Sequence, residues 1–246
     1  MGAYSDWGKE QFVNYRNSVI YIEIEKDDKE KGIGTAFHIG DGVFVTARHV
    51  VEGKTITELA VDTGYDPLKG AFGEPIKDVL CIVNGPLYHP DPKVDLACFT
   101  VDKPPVNQLP LGGHLDCFLG PHELLLNRTL VLGFPPVPVS TRPHLLACFG
   151  EINGLIEMYM GSKHPSFVVS TTARGGFSGA PVLVAYDEQN KITGTAVLGV
   201  VTESLVREGA PPEIGYMTVT TVEPIYDMLE HHGLLPESQQ LELQTA

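Results

Sequence analysis

Apolar positions along the chain come in short runs, each broken by glycine, proline or a charged residue. Val19-Ile20-Tyr21-Ile22-Glu23-Ile24 is rich in β-branched and aromatic side chains and predicts a strand. It stops at the mixed-charge run Glu25-Lys26-Asp27-Asp28-Lys29-Glu30-Lys31, which reads as a solvated loop. Gly34 to Ile39 predicts the next strand, Gly40-Asp41-Gly42 a tight hairpin turn, and Val43 to Thr46 the returning strand. Further strands are predicted at Asp78 to Val83, Leu96 to Val101, Thr129 to Leu132 and Ser166 to Thr171. Val182 to Ala185, Ala196 to Val201 and Tyr216 to Thr220 complete the set. Many short strands, with 26 glycines and 19 prolines between them, predict an all-β barrel or sandwich rather than alternating β-α units.

Helical periodicity is confined to the two ends. In Glu223 to His232 the residues Ile225, Met228, Leu229 and His232 share one face. Pro224 suits a first helical position and Gly233 a C-terminal stop. A weaker helix is predicted over Ser5 to Tyr15, and a frayed polar tail from Pro236.

Charge removes several function classes. The 246-residue chain carries a formal net charge of −14 and no Lys/Arg cluster, so phosphate backbones and anionic lipid surfaces are repelled. No nucleic-acid partner is expected. No apolar run reaches the ~18 residues of a membrane span, so no membrane partner is expected either. The N-terminal residues lack the charged and apolar regions of a secretory signal, and a cytoplasmic location is the expectation. Cys81, Cys98, Cys117 and Cys148 show no metal-binding spacing; Cys98 and Cys148 sit in apolar runs and read as reduced, buried side chains.

Three local motifs carry chemistry. Gly175-Gly176-Phe177-Ser178-Gly179-Ala180-Pro181 is a glycine-rich turn around a serine. A serine hydroxyl attacks a carbonyl only when a base takes its proton and donors meet the developing oxyanion. The backbone N–H groups of Gly176 and Ser178 are the natural donors. Ala180 stands where the nucleophile elbow of α/β hydrolases needs glycine, and no β-α alternation surrounds this serine. Thr46-Ala47-Arg48-His49 places an imidazole directly after a strand, and Asp95-Leu96-Ala97 places a carboxylate at the head of another. A carboxylate there needs strong hydrogen bonds, and the second nitrogen of His49 would supply one. Asp91, between two prolines, is the rival and reads as a turn residue. No H-E-x-x-H, P-loop or dinucleotide fingerprint is present, so no metal is expected. No cofactor is needed either, since base, nucleophile and donors are all protein groups.

The order His49, Asp95, Ser178, with these three motifs, resembles the trypsin-like serine peptidases. Within them it is similar to the compact bacterial branch that includes the HtrA catalytic domain. The resemblance implies two six-stranded β-barrels with a C-terminal α-helix. It divides the chain into an N-terminal segment over 1–14, a first barrel over 15–115 with His49 and Asp95, a second over 116–221 with Ser178, and a helix and tail over 222–246. It implies a serine endopeptidase acting on a protein or peptide substrate. Thr172 would lie at the base of the primary specificity pocket, with Val201, Thr202 and Ile214 on its walls. That set suits a small or medium apolar side chain better than Lys or Arg, which a threonine cannot pair as a carboxylate does. Phe177 stands where secreted relatives have an aspartate that pairs with a freed N-terminus, so activation by N-terminal cleavage is not expected. Two other readings stay open: a catalytically inactive fold used as a protein-binding module, and a latent peptidase switched on by a regulatory protein partner.

Overall fold

The structure is a computed structural model that describes residues 3–26, 29–61, 65–66, 71–72, 78–113, 124–140, 142–157, 163–171, 175–188, 191–205 and 216–244. In chain order, α1 (Ala3–Tyr15) precedes β1 (Val19–Glu25), β2 (Lys31–Gly40) and β3 (Val43–Thr46). A single helical turn, α2 (Arg48–Val51), leads to β4 (Thr55–Val61) and a small pair, β5 (Tyr65–Asp66) and β6 (Ala71–Phe72). The first half ends with β7 (Asp78–Val79), β8 (Ile82–Tyr88) and β9 (Ala97–Val101). The second half contains β10 (Arg128–Gly133), β11 (Leu146–Ile156), β12 (Ser166–Val169), β13 (Pro181–Glu188), β14 (Lys191–Leu205) and β15 (Tyr216–Thr221). Two helices follow, α3 (Glu223–His232) and α4 (Glu237–Gln244).

The second half closes into a six-stranded antiparallel barrel, in the order β10-β11-β12-β15-β14-β13, with β13 returning to pair with β10. The first half differs from the six-stranded barrel expected over 15–115. It is a curled seven-stranded sheet, β7-β4-β1-β2-β3-β9-β8, and no ladder joins its edges among the described residues. Its two edge strands are consecutive in the chain. Between them, Leu80 N–H donates to Leu59 O on the β4 side, while Cys81 O accepts from Asp102 N–H beyond β9. The single strand predicted over Asp78 to Val83 is therefore two, broken where the backbone changes partner. β4 and β11 were not predicted; β11 carries an apolar run at its start, but alternates exposed with buried or half-buried residues around two glycines.

Strand faces account for the apolar runs. In β1, Ile20, Ile22 and Ile24 face the core inside the curled sheet, with Phe44, Leu59 and Phe99. Val19 and Tyr21 face the opposite way, into a core shared with Leu130, Leu132 and Phe134 of the second half. Val131, between them on β10, points into the barrel interior with Phe177 and Val182. Strands buried on both faces read as continuous apolar runs, because alternation needs one wet face. Across the junction, the rings of Tyr21 and Phe134 meet edge to face at 5.4 Å.

The ends of the chain cross over. α1 precedes the first sheet yet packs on β10 and β14 of the barrel. Trp7 is buried there, and its indole N–H donates to Thr195 Oγ1 at 2.7 Å. α3 is as predicted: Pro224 opens it, Gly233 closes it at φ 65°, and Ile225, Met228 and Leu229 are buried. The tail expected to fray is instead α4, which packs on β2 of the first sheet. Gln239 fixes it there. The buried amide Nε2 donates to Ile39 O (2.6 Å) and Leu109 O (3.0 Å), and Oε1 accepts from Leu111 N–H (2.9 Å). One fully paired polar side chain anchors this helix, so no apolar stripe announced it. Cys98 is buried, which pushes its thiol up to about 12; Cys148 is half-buried, Cys81 is exposed, and Cys117 lies outside the described residues. No described helix is long and apolar enough to cross a membrane.

Candidate active site

The hairpin at residues 40–42 returns the chain as β3, and α2 starts immediately after it. This turn of helix presents His49 to Asp95, which lies just before β9. His49 N–H donates to Asp95 Oδ1 at 2.8 Å, and His49 Nδ1 is 2.6 Å from Asp95 Oδ2. One carboxylate therefore holds both the backbone and the ring of the same residue. A carboxylate only accepts, so Nδ1 carries the proton and the lone pair of the neutral ring is left on Nε2. Arg48 N–H donates to Asp95 O at 3.2 Å, and the Lys54 ammonium donates to His49 O. Asp91 serves its own turn: Oδ1 accepts from Lys93 N–H at 3.0 Å.

The serine loop is built by close backbone approach from both halves. Gly176 has φ 86°, and a Cβ there would sit 2.3 Å from Phe134 O. Gly179 has φ 84°, and its Cβ would sit 2.0 Å from Thr35 O and 2.4 Å from Thr46 Oγ1. Only glycine fits both the dihedral and the space. Phe177 turns inward and is buried in the barrel core. Thr35 of β2 ties the loop down. Its N–H donates to Ser178 O (2.9 Å), and its hydroxyl donates to Gly176 O (2.6 Å) while accepting from Phe134 N–H (3.0 Å). Among the described residues, neither Gly176 N–H nor Ser178 N–H donates to a backbone or side-chain acceptor. These two N–H groups, on either side of Phe177, are thus open to an acceptor from outside the chain.

His49, Gly175, Gly176 and Ser178 line one cleft of about 690 Å³ between the two halves. No hydrogen bond joins Ser178 to His49. The cleft's wall in the first half includes Lys26, Lys31 and Lys54; the wall in the second includes Pro135, Pro136 and Arg142. Lys31 is paired with Glu23 at 2.8 Å, and that hydrogen bond raises the Lys31 pKa. Burial lowers that of Lys54. In a chain of net charge −14 this is a local concentration of cations. Sequence motifs did not single out Thr35, because it acts across the junction on residues far away in the chain.

The pocket residues expected from sequence divide. Val201 is buried in the barrel core, and its backbone brackets the loop: its O accepts from Gly179 N–H and its N–H donates to Ala180 O. Thr202 is buried beside it, its hydroxyl 3.0 Å from that of Thr220. Neither is among the described residues that line the cleft. Thr172 and Ile214 lie outside the described residues.

Comparison with known proteins bears on the family and the fold. The family model described as "Trypsin-like peptidase domain" matches residues 34–194. The HtrA-type protease AlgW, solved with a tripeptide, superposes with a TM-score of 0.61 at 17% identity, over 92% of this chain and 64% of that one. The Rv3671c protease of M. tuberculosis in its active form gives 0.58 at 21% identity, over 89% and 82%. A serine endoprotease from Yersinia pestis gives 0.56 at 14%, over 91% and 65%. The chain thus spans less than two thirds of the HtrA-type chain's length. No curated protein sequence matches it.

Proposed function

The chain belongs to the trypsin-like peptidase family, and from that premise we propose that it is a serine endopeptidase using Ser178, His49 and Asp95. One observation carries the reading: the His49–Asp95 pair and the Ser178 loop, with its two unspent N–H donors, share a single cleft. Ser178 Oγ attacks the carbonyl carbon of a peptide bond while His49 Nε2 takes the hydroxyl proton. Asp95 holds the ring and stabilises the imidazolium. Gly176 N–H and Ser178 N–H receive the oxyanion. Collapse expels the amine, which takes its proton from His49, and water then releases the acyl group by the same steps.

Peptide is the proposed substrate class, in keeping with the tripeptide bound by AlgW. The proposed preference before the scissile bond is a small or medium apolar side chain, resting on the sequence resemblance that puts Thr172 at the pocket base and Ile214 on its wall. A cleavage profile dominated by Arg or Lys would overturn it. A latent peptidase is the second reading, favoured by the absence of a Ser178–His49 hydrogen bond: a partner that rotates the serine toward Nε2 would switch it on. The test is covalent labelling with a fluorophosphonate. Labelling of the wild type that disappears in Ser178→Ala supports the proposal. A folded protein that labels only after addition of cell extract supports the latent form. No labelling in either condition overturns both.

A further inference from the structure

Away from the cleft, three side chains from separate segments converge. His89 follows β8, His164 lies just before β12, and Asp227 is on α3. One ligand atom from each lies within 4.8 Å of the other two. His164 Nε2 is 3.8 Å from Asp227 Oδ2. They border a cavity of about 380 Å³ that His231 also lines. Asp227 and His231 are four residues apart on α3, one turn along the same face.

His89 is the telling member. It is 5% exposed, and its Nε2 has no hydrogen-bond partner among the described residues. Buried polar atoms in folded proteins are paired as a rule, so an unpartnered ring nitrogen on a histidine that lines this cavity points to a missing occupant. Its other nitrogen suits that role. Nδ1 lies 3.0 Å from Asp91 N and 3.3 Å from Asp91 O. A cation on Nε2 selects the tautomer in which Nδ1–H donates to Asp91 O, the usual support of a metal-bound imidazole, and forgoes the contact with Asp91 N–H.

We propose that His89, His164 and Asp227 form a zinc site, with His231 or water as fourth ligand. Two imidazoles and a carboxylate are a borderline N/O donor set that suits Zn²⁺ better than the all-oxygen preference of Ca²⁺ or Mg²⁺. Bonds of about 2.0–2.1 Å in a tetrahedron place ligand atoms about 3.4 Å apart. The cluster contracts slightly to close. Asp227, with a side chain 57% exposed, supplies that movement. None of these residues lines the cleft of Ser178. A bound ion joins the end of β8, the segment before β12 and α3, and so ties the first sheet, the barrel and the C-terminal helix together at a point remote from the chemistry.

The test uses the metal-stripped full chain, titrated with ZnCl₂ by calorimetry and followed by thermal melting. Co²⁺ serves as a spectroscopic probe. The expected result is one ion per chain, a higher Tm, and an intense visible Co²⁺ band of a tetrahedral site. Asp227→Asn and His164→Ala, both on less buried side chains, should melt like the stripped wild type and bind at least about tenfold more weakly. No heat and no Tm shift at about 100 µM zinc overturns the proposal. Binding that is equally tight in the wild type and both variants also overturns it, since the ion then sits elsewhere.

Discussion

Thr35→Val keeps the shape of the side chain and removes its hydroxyl. In the native chain that hydroxyl is buried and serves two partners, donating to Gly176 O at 2.6 Å and accepting from Phe134 N–H at 3.0 Å. Valine leaves a carbonyl and an N–H unpaired at the junction of the two halves. At about 1–3 kcal/mol for each orphaned group, partly relieved by local adjustment, the expected loss is about 2–4 kcal/mol. For a chain of this size that lowers Tm by roughly 4–16 °C. Activity should fall by a separate route. The carbonyl of Gly176 and its N–H lie on adjoining peptide units, so releasing one frees the other to rotate. Losing a whole oxyanion donor costs about 10²–10³ in kcat, so partial misalignment should cost about tenfold to a hundredfold, with KM little changed. Hydrolysis of a chromogenic peptide ester, normalised to active sites and run well below the variant's Tm, separates the two effects. Thr35→Ser, which restores the hydroxyl, should recover kcat. A Thr35→Val enzyme that melts early but turns over within twofold of the wild type would refute the argument that Thr35 sets the loop.

Two further outcomes follow from the same geometry. Gly179→Ala forces a Cβ to within 2.0 Å of Thr35 O at φ 84°, and the obstacle is backbone that cannot step aside. A loss of about 3 kcal/mol or more is expected in urea unfolding, and a loss below about 1 kcal/mol would mean that the halves do not approach so closely. Burial holds the pKa values of His38 and His89 below 6.5 in the folded chain. As pH falls through 6.5 the unfolded chain takes up these protons first. Stability in the metal-free protein should therefore decline on acidification from about pH 7 until the folded pKa values are reached. His38→Gln should flatten that slope in pH-dependent melts; an unchanged slope would remove His38 from the account.

What was legible in the sequence was local. Thr46 to His49, Asp95 to Ala97 and Gly175 to Pro181 each carry their meaning within a few residues, and the paired His49–Asp95 geometry and the shared cleft follow from where those motifs sit on strands. Strand faces were legible only as apolar runs, since β1 and β10 are buried on both sides. Thr35 was not legible, because its partners Gly176 and Phe134 lie across the junction and a threonine in a strand has no distinguishing pattern. Gln239 was missed for a related reason: a helix held by one buried amide reads as a polar tail. The half-barrel was missed because Leu80 and Cys81 continue an apolar run while the backbone beneath them changes partner. His89, His164 and Asp227 were not singled out, as their spacing matches no metal motif and only the fold collects them.

The crossing of the chain's ends bears on how long a folded molecule lasts. With α1 clasping the barrel and α4 clasping the first sheet, neither half can come away without its opposite end being peeled off first. Contacts between residues so distant in sequence form late and slow folding. The same arrangement raises the barrier to opening, so stability shows as a slow unfolding rate as well as an equilibrium. For a molecule proposed to cut peptides, that rate sets its lifetime among its own copies, because a protease reaches a folded neighbour's backbone only while that neighbour is open.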